Sequence, residues 1–168
     1  MFVDESGFLL IPNVRRTWAP KGQTPCIRHR YRHDRLSVCS GLAMSPKRRR
    51  MALYLRCRAH NFTGLDIQAF LCRSDRLAVG SRADPSAAGG PGLLITHRRL
   101  DVHYFPAYEP ELNPAEYVWA QADHELANGA PDDLRELRQR LTDATRRLRR
   151  SQDLLWSCIY ASDLPWAR

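Results

Sequence analysis

The sequence predicts an α/β domain, from its hydrophobic patterning and from the order of its predicted elements. Segments with strand patterns come first, a helix and a further strand follow, and two helices end the chain. Hydrophobic residues make up 43% of the 168 residues, which is enough for a buried core. No stretch approaches the roughly 18 apolar residues of a membrane span, and the start lacks the order of a signal peptide. A soluble, cytoplasmic protein without a membrane partner is therefore expected.

Four strands are predicted in the first part of the chain. The first carries the polar run Asp-Glu-Ser-Gly between apolar residues and ends before Pro12. The third alternates apolar and small residues, and the basic turn at residues 45–50 predicts that the fourth returns beside it as a hairpin. The predicted strands are residues 1–11, 24–30, 36–44 and 51–57.

A helix and then a region of different character follow the strands. Residues 65–72 place Leu65, Ala69 and Cys72 along one helical face. Residues 73–92 are rich in Ser, Arg, Ala, Gly and Pro and lack apolar periodicity, so we expect them to be irregular, exposed or disordered. A strand is predicted after them, at residues 100–105.

Two helices are predicted in the last third of the chain. Asn113 as N-cap and Pro114 as the first helical residue begin one of them, which runs to about Ala127. Acidic residues near position 132 suit the start of the other helix. In that helix one apolar stripe is predicted, which is either core or a contact with a partner helix. The stripe consists of Leu134, Leu137, Leu141 and Leu148.

The charge of the chain favours a polyanionic partner. Lys and Arg number 26 against 18 Asp and Glu, a net charge of +8, and nucleic acid is the commonest polyanion. The alternative is solvated charge without a partner. Two groups are expected to form basic surface, namely residues 146–150 and the run Lys47, Arg48, Arg49 and Arg50.

Five cysteines are scattered along the sequence, and none forms a Cys-x-x-Cys pair. Buried, reduced thiols are therefore expected at Cys26, Cys39, Cys57, Cys72 and Cys158. A zinc site would need clustered ligands. His29 and His33 are spaced as on a helix, but they have no cysteine pair nearby.

Two carboxylates are candidates for chemistry, and each has an ordinary alternative. Asp4 lies within an apolar strand, where an acid is costly to bury without a partner; the alternative is an edge-strand acid that faces solvent. Glu116 lies in the first turn of the helix that Asn113 begins. Its spacing from Asn113 is that of a capping box, and by spacing alone capping is favoured over catalysis.

A chemistry that would unite the two acids is phosphoryl transfer with two metal ions. Mg²⁺ is usually held by one or two carboxylates together with substrate phosphates. A pair of such ions activates the attacking oxygen and stabilises the leaving one. Acids on a strand and on a helix can meet in space although they are far apart in sequence.

Four motifs in order give the sequence a resemblance to a known family. It resembles the DDE-superfamily endonucleases, and within them the bacterial insertion-sequence transposases related to mariner elements. The first motif, Phe-Val-Asp-Glu-Ser-Gly-Phe, resembles the first catalytic strand of that family. The strongest is Phe-Pro-Ala-Tyr-Glu-Pro-Glu-Leu-Asn-Pro-Ala-Glu-Tyr-Val-Trp. In order, the motifs occupy residues 2–8, 15–25, 61–63 and 105–119.

The resemblance implies a ribonuclease-H-like mixed sheet flanked by helices, and metal-dependent cutting and joining of DNA. It implies that Asp4 and Glu116 are the first and third metal-binding acids, with Mg²⁺ or Mn²⁺ as cofactor. The expected partner is DNA, both transposon ends and target, so the protein would associate with the nucleoid. The expected organisation is a catalytic domain at residues 1–127 and a C-terminal helical extension at residues 128–168.

The sequence departs from the family pattern in its middle. The second acid should end an apolar strand, but residues 73–92 contain no such strand and are expected to be degenerate. Asp84 is the best-placed remaining candidate for this acid and metal ligand. A compensated reading-frame shift would explain why both flanks match. We therefore expect an incomplete fold and weak or absent activity.

The sequence also leaves no room before Phe2 for the helix-turn-helix region that would recognise the element ends. A truncated gene, or a separate helix-turn-helix chain as partner, is expected on that ground. Two alternatives to a catalytic domain remain. One is a non-catalytic remnant that binds DNA by its charge, and the other is a module that forms a homodimer through the Leu134–Leu148 stripe.

Overall fold

A three-stranded antiparallel sheet lies at the centre of the fold. The computed structural model describes residues 1–29, 33–79, 103–106 and 109–166. In them the sheet consists of β1 (Phe2–Leu9), β2 (Arg35–Met44) and β3 (Met51–Arg58), in that order. Asp4 pairs with Ser40 on β2, and Ser40 pairs in turn with Leu55 on β3. The strands predicted at residues 1–11, 36–44 and 51–57 are therefore confirmed, and so is the hairpin between β2 and β3.

The hairpin turn between β2 and β3 is the predicted basic turn. The backbone N–H of Ser45 donates to the Arg50 carbonyl at 2.9 Å, and the hydroxyl of Ser45 accepts from the backbone N–H groups of Arg49 and Arg50. Arg48 has a φ of 50°, the left-handed conformation that tight turns require. The turn therefore projects its basic side chains from one end of the sheet.

Helices cover both faces of the sheet. On one face lie α2 (Pro114–Leu126), which follows a short 3-10 turn at Pro110–Leu112, α3 (Leu134–Arg150) and α4 (Gln152–Ala161). Near the other face lies α1 (Gly64–Val79). The Phe70 ring of α1 is so close to Gly41 that a Cβ atom on Gly41 would lie 3.2 Å from it. Gly41 and Leu42 are consecutive and so point to opposite faces. The α/β class is confirmed.

The apolar stripe of α3 belongs to the core. Leu137 and Leu148 are 3% exposed and Leu141 is 1% exposed, and all three belong to the main hydrophobic cluster with Val38 and Leu42 of β2. The stripe is therefore already covered by the chain itself. The alternative in which it forms a homodimer is not supported.

Two predicted strands are wrong where the structure describes them. Residues 24–29 form no strand, because Pro25 lacks a backbone N–H and nearly all the side chains of this segment are exposed. Residues 103–105 are also irregular, and the side chain of Tyr104 is 90% exposed. Residues 100–102 of that predicted strand lie outside the described residues.

The helix after β3 is longer than predicted. It continues to Val79, so residues 73–79, which were expected to be irregular, are helical. The sequence contains no Gly or Pro between Leu65 and Val79, and Gly80 is the first residue that disfavours a helix. The remainder of the predicted irregular region, residues 80–92, lies outside the described residues.

Most cysteines are buried, as predicted. Cys39, Cys72 and Cys158 are buried, Cys57 is half-buried, and all are free thiols. Burial raises the pKa of the Cys39 thiol to about 12, with the charges of Glu5 and Asp4 adding to the effect. Cys26 is exposed, so the prediction of burial is wrong there.

The C-terminal helices are part of the same hydrophobic core as the sheet. Leu155 and Ile159 of α4 are fully buried in the cluster that contains Phe8 of β1. The division of the chain at Ala127 stays a prediction. Among the described residues, none of the helices has the length and apolar character to cross a membrane.

Candidate active site

Asp4 lies on the face of the sheet that the core helices cover. It shares that face with Phe2 and Phe8, because alternate residues of a strand point the same way. Phe8 belongs to the core, and Asp4 itself is half-buried. The edge-strand alternative, in which this acid faces solvent freely, is therefore wrong.

A tryptophan of α2 holds the Asp4 carboxylate. The indole Nε1–H of Trp119 donates to Oδ2 of Asp4 at 2.7 Å. The Trp119 side chain is 4% exposed, and its ring meets the ring of Phe8 edge to face, with centroids 6.0 Å apart. Packing thus fixes the indole, and the indole in turn fixes the direction of the carboxylate.

The start of α2 is attached to β1 by its N-cap. Asn113 Oδ1 accepts from the backbone N–H of Ala115 at 3.2 Å, and its Nδ2 donates to the carbonyl of Val3 at 3.4 Å. The predicted N-cap is confirmed. This residue therefore places the first turn of α2 beside the residue that precedes Asp4.

The predicted capping box does not form. The backbone N–H of Asn113 donates to the carbonyl of Pro110 at 2.9 Å, so Glu116 is not its acceptor. Glu116 is exposed, one turn before Trp119 on α2. Since the 3-10 turn satisfies the N–H that a capping box would use, the Glu116 carboxylate is available for another role.

The charge of Asp4 acts on Glu116. Partial desolvation raises the pKa of Glu116 although the residue is exposed, and the negative charge of Asp4 raises this pKa further. Burial likewise raises the pKa of Asp4, against the opposing effects of the hydrogen bonds from Trp119 and from the backbone of Glu5. In the part of the chain that the structure describes, neither acid has a Lys or Arg partner. The Glu116 carboxylate is thus near enough to Asp4, 112 positions away in sequence, to respond to its charge.

A buried hydroxyl lies opposite Asp4. Ser40 pairs with Asp4 across β1 and β2, is 0% exposed, and its Oγ has no hydrogen-bond partner among the described residues. Directly opposed side chains in an antiparallel pair have Cβ atoms roughly 5 Å apart. The face of the sheet around Asp4 therefore contains a polar group as well as apolar ones.

Sequence reasoning did not assign a role to Trp119 or Ser40. Trp119 follows Glu116 by three residues, and this spacing places both side chains on neighbouring parts of one helical surface. That signal could have indicated a donor near the acid pair. Ser40 has no comparable signal, because a small residue in a buried strand is ordinary.

Asp84, the candidate for the second acid, lies outside the described residues. Among the residues that are described, no group of three or more His, Cys, Asp and Glu side chains could hold a metal ion together. Of the three predicted metal ligands, Asp4 and Glu116 are the two that the structure describes. Their hard oxygen donors are of the kind that Mg²⁺ and Mn²⁺ prefer.

The predicted DNA-binding residues lie away from the core. Lys47, Arg48, Arg49 and Arg50 form the tip of the β2–β3 hairpin and are exposed. Arg48 differs from the others because its guanidinium carbon lies 4.8 Å from the centroid of the Trp166 ring.

Comparison with known proteins gives one family and one solved structure. The family model for the DDE superfamily endonuclease matches residues 1–79 and 85–138. A chain in the crystal structure of the Mos1 mariner paired end complex with Mn has a similar fold, with a TM-score of 0.65 and 17% sequence identity. The similarity covers 94% of this chain and 50% of that one, so this chain spans about half the length of its structural relative. No curated protein matches the sequence.

Proposed function

The chain belongs to the DDE superfamily of endonucleases, and from this membership we propose that it acts as the catalytic part of a DNA transposase. Asp4 and Glu116 are proposed to hold divalent metal ions, Mg²⁺ or Mn²⁺, for the cutting and joining of DNA strands. The ribonuclease-H-like fold class expected from the sequence agrees with the structural relative. The activity, substrates and partners of a complete transposase are part of the proposal.

The observation that supports this proposal best is the effect of the Asp4 charge on the Glu116 carboxylate. The charge of Asp4 raises the pKa of Glu116, and no Lys or Arg among the described residues compensates either acid. A pair of like charges is unfavourable unless a cation or a proton joins it. A divalent cation bound by both carboxylates would remove the repulsion, and the oxygen donors fit Mg²⁺ and Mn²⁺.

The residues around the pair are proposed to position it. Trp119 occupies Oδ2 of Asp4 and limits rotation of the carboxylate. Asn113 sets the distance between the start of α2 and β1 through its bond to Val3. Metal-binding carboxylates commonly need such hydrogen-bonded support for full affinity.

Two divalent ions, when bound, would activate an attacking oxygen and stabilise a leaving oxygen on the DNA phosphate. Fixing a second ion needs a ligand beyond the pair, and Asp84 remains the proposed candidate. Because a ligand misplaced by about 1 Å costs on the order of 100-fold in rate, the placement of Asp84 would set the activity of the chain.

The basic surface proposed to contact DNA is the hairpin tip rather than the end of α3. Arg146 pairs with Asp143 at 2.9 Å and Arg147 with Glu125 at 2.7 Å, while Arg149 donates to the carbonyl of Leu53. These guanidinium groups already have partners within the chain. At the hairpin tip, the exposed Lys47, Arg49 and Arg50 are better placed to bind phosphates.

The function is tested by nicking of supercoiled plasmid in Mg²⁺ or Mn²⁺. We expect metal-dependent nicking, weak for the isolated chain, that Asp4→Asn and Glu116→Gln each abolish. Asp123→Asn is the matched control, since Asp123 also lies on α2 and burial also raises its pKa. Nicking that survives both site substitutions would contradict the proposal. DNA binding with equal background nicking in all proteins would instead support the alternative of a non-catalytic remnant.

A further inference from the structure

The buried hydroxyl of Ser40 is not explained by the packing of the core. Ser40 is 0% exposed, and its Oγ has no hydrogen-bond partner among the described residues. A polar group buried without a partner destabilises a fold, so nearly all such groups in proteins are hydrogen-bonded. An alanine would fill nearly the same space without that penalty. The hydroxyl therefore points to a role other than filling the core.

The neighbours of Ser40 in the sheet include one hydrogen-bonding side chain. Across the sheet Ser40 pairs with Asp4 of β1 on one side and with Leu55 of β3 on the other. Along β2 the adjacent side chains on the same face are those of Val38 and Leu42, both 0% exposed. Of these four neighbours, only Asp4 can accept a hydrogen bond through its side chain.

The Asp4 carboxylate lies within reach of the Ser40 hydroxyl. Directly opposed side chains in an antiparallel pair have Cβ atoms roughly 4.5–5.5 Å apart. The Oγ of a serine has three staggered positions, and its hydrogen rotates to suit an acceptor. Asp4 turns less easily, because the Trp119 indole donates to its Oδ2 at 2.7 Å. Rotation of the Ser40 side chain is therefore the movement that joins the two groups.

The Asp4 carboxylate can accept a further hydrogen bond. An ionised carboxylate has about four acceptor positions. Asp4 receives one hydrogen bond from Trp119 and one from the backbone of Glu5. A hydroxyl bonds more strongly to a charged carboxylate than to a neutral one, and a carboxylate that binds a metal ion is charged. The hydroxyl of Ser40 is thus most useful to Asp4 in the metal-bound protein.

We propose that Ser40 is a positioning residue of the metal site, whose hydroxyl donates to the Asp4 carboxylate when that carboxylate binds a divalent cation. This inference rests on the proposed function, because it takes Asp4 as a metal ligand. Asp4 is then held from two elements, by Trp119 of α2 and by Ser40 of β2. Hydrogen-bonded support of this kind commonly contributes about 10- to 100-fold to metal affinity.

Two measurements on Ser40→Ala in the full chain test the proposal. Mn²⁺ affinity, measured by electron paramagnetic resonance of the free ion, should fall by about 10-fold. The urea midpoint of the metal-free protein should stay the same or rise, because the substitution removes an unsatisfied hydroxyl from the core. A serine that only supports packing would have the opposite effects, a lower midpoint and an unchanged Mn²⁺ affinity of the folded chain.

Ser37→Ala is the matched control. Ser37 is also a buried serine of β2, 4% exposed, but it lies on the other face of the sheet and its Oγ donates to Oδ1 of Asn61 at 3.4 Å. Because this hydroxyl has a partner, we expect its removal to lower the urea midpoint and to leave the Mn²⁺ affinity unchanged.

A double variant shows whether Ser40 acts through Asp4. In the Asp4→Asn background, Ser40→Ala should weaken Mn²⁺ binding no further, because the carboxylate that the hydroxyl supports is already absent. A further loss of about 10-fold in that background would mean that the hydroxyl supports another group, and it would overturn the inference.

The conservative variant Ser40→Thr keeps a hydroxyl at this position. We expect it to bind Mn²⁺ within about twofold of the unmodified chain, provided that circular dichroism shows a folded protein. A folded Ser40→Thr that binds as weakly as Ser40→Ala would overturn the inference. The double variant decides the question where the added methyl group prevents folding.

Failure of the inference and failure of the proposed function differ in their outcomes. Unchanged Mn²⁺ affinity in Ser40→Ala, with a clear loss in Asp4→Asn, would overturn the role of Ser40 and leave the proposed function standing. A chain that binds no Mn²⁺, or whose binding Asp4→Asn does not weaken, would overturn both.

Discussion

The indole of Trp119 donates a 2.7 Å hydrogen bond to the carboxylate of Asp4, and so joins the helix that carries Glu116 to the strand that carries Asp4. The residues are 115 positions apart in sequence. Together with the bond from Asn113 to the Val3 carbonyl, this bond helps to set the relative position of the two proposed metal ligands. Its removal should affect metal affinity more than overall stability.

Trp119→Phe is predicted to weaken Mn²⁺ binding by about 10-fold while the protein stays folded. The substitution removes the donor but keeps an aromatic ring against Phe8, and loss of such support typically costs 10- to 100-fold in metal affinity. It should also raise the pKa of Asp4 further, because the Trp119 bond is one of the effects that lower it. Trp156→Phe is the control, because it makes the same change in a tryptophan whose ring stacks on Tyr160. Equal losses of affinity in both variants would contradict a positioning role.

Glu116→Gln is predicted to stabilise the metal-free protein slightly at neutral pH. Burial and the charge of Asp4 raise the pKa of Glu116, so the folded state holds this proton more tightly than the unfolded state. The ionised acid is therefore destabilising above its folded pKa, and the effect fades as the pH falls through that pKa. We expect a gain below about 1 kcal/mol, because solvent screens an exposed group.

Urea unfolding at neutral pH and at about pH 4 measures this difference. The gain in free energy of unfolding that Glu116→Gln gives over the unmodified chain should shrink at the lower pH. Glu111→Gln, which changes an exposed acid before the same helix, is the control, and its difference from the unmodified chain should be the same at both pH values. A stability gain from Glu116→Gln that grows as the pH falls would contradict the predicted direction of the pH dependence.

Leu141→Ala is predicted to lower the free energy of unfolding by about 2–5 kcal/mol. Leu141 is 1% exposed and lies in the cluster that joins α3 to β2 and β1. Thr142→Ala, an exposed neighbour on the same helix, should change it by less than about 0.5 kcal/mol. A small loss for Leu141→Ala, or separate unfolding transitions for sheet and helices, would indicate that α3 is an independent extension.

Substitution of Lys47, Arg49 and Arg50 by Ala is predicted to weaken DNA binding equally for all sequences. Each phosphate contact contributes about 0.9 to the dependence of log K on log salt, so the slope should flatten by up to about 3. Arg135→Ala, which removes a side chain 93% exposed at the start of α3, serves as control. An unchanged slope in the triple variant would favour solvated charge without a partner.

Much of the fold was predictable because its signals are local. Asn113 and Pro114 define the start of α2, and the alternation in β2 defines a strand. The strand predicted at residues 24–30 was wrong because the pattern there resembles a strand, yet Pro25 and the exposed side chains leave nothing to pair or bury. Local pattern cannot show whether a neighbouring strand is available.

Asp4 and Glu116 could be proposed as metal ligands from motifs, and that assignment stays a prediction, but the surroundings of the two acids could not be predicted. Glu116 has the spacing of a capping residue, and only the 3-10 turn at Pro110–Leu112, which takes up the N–H of Asn113, shows that capping is not its role. The meeting of Phe2, Phe105 and Trp166 depends on contacts between residues more than 60 positions apart. Such long-range pairing is decided by packing, which no local periodicity records.

Mn²⁺ binding, measured by electron paramagnetic resonance of the free ion, shows directly whether Asp4 and Glu116 form one metal site. We expect that the unmodified chain binds Mn²⁺ and that Asp4→Asn and Glu116→Gln each weaken binding by at least about 10-fold. The double variant should be no weaker than the weaker single one, since both remove the same site. Asp123→Asn should bind as the unmodified chain does. Unchanged affinity in Asp4→Asn and Glu116→Gln would show that the two acids do not form a metal site.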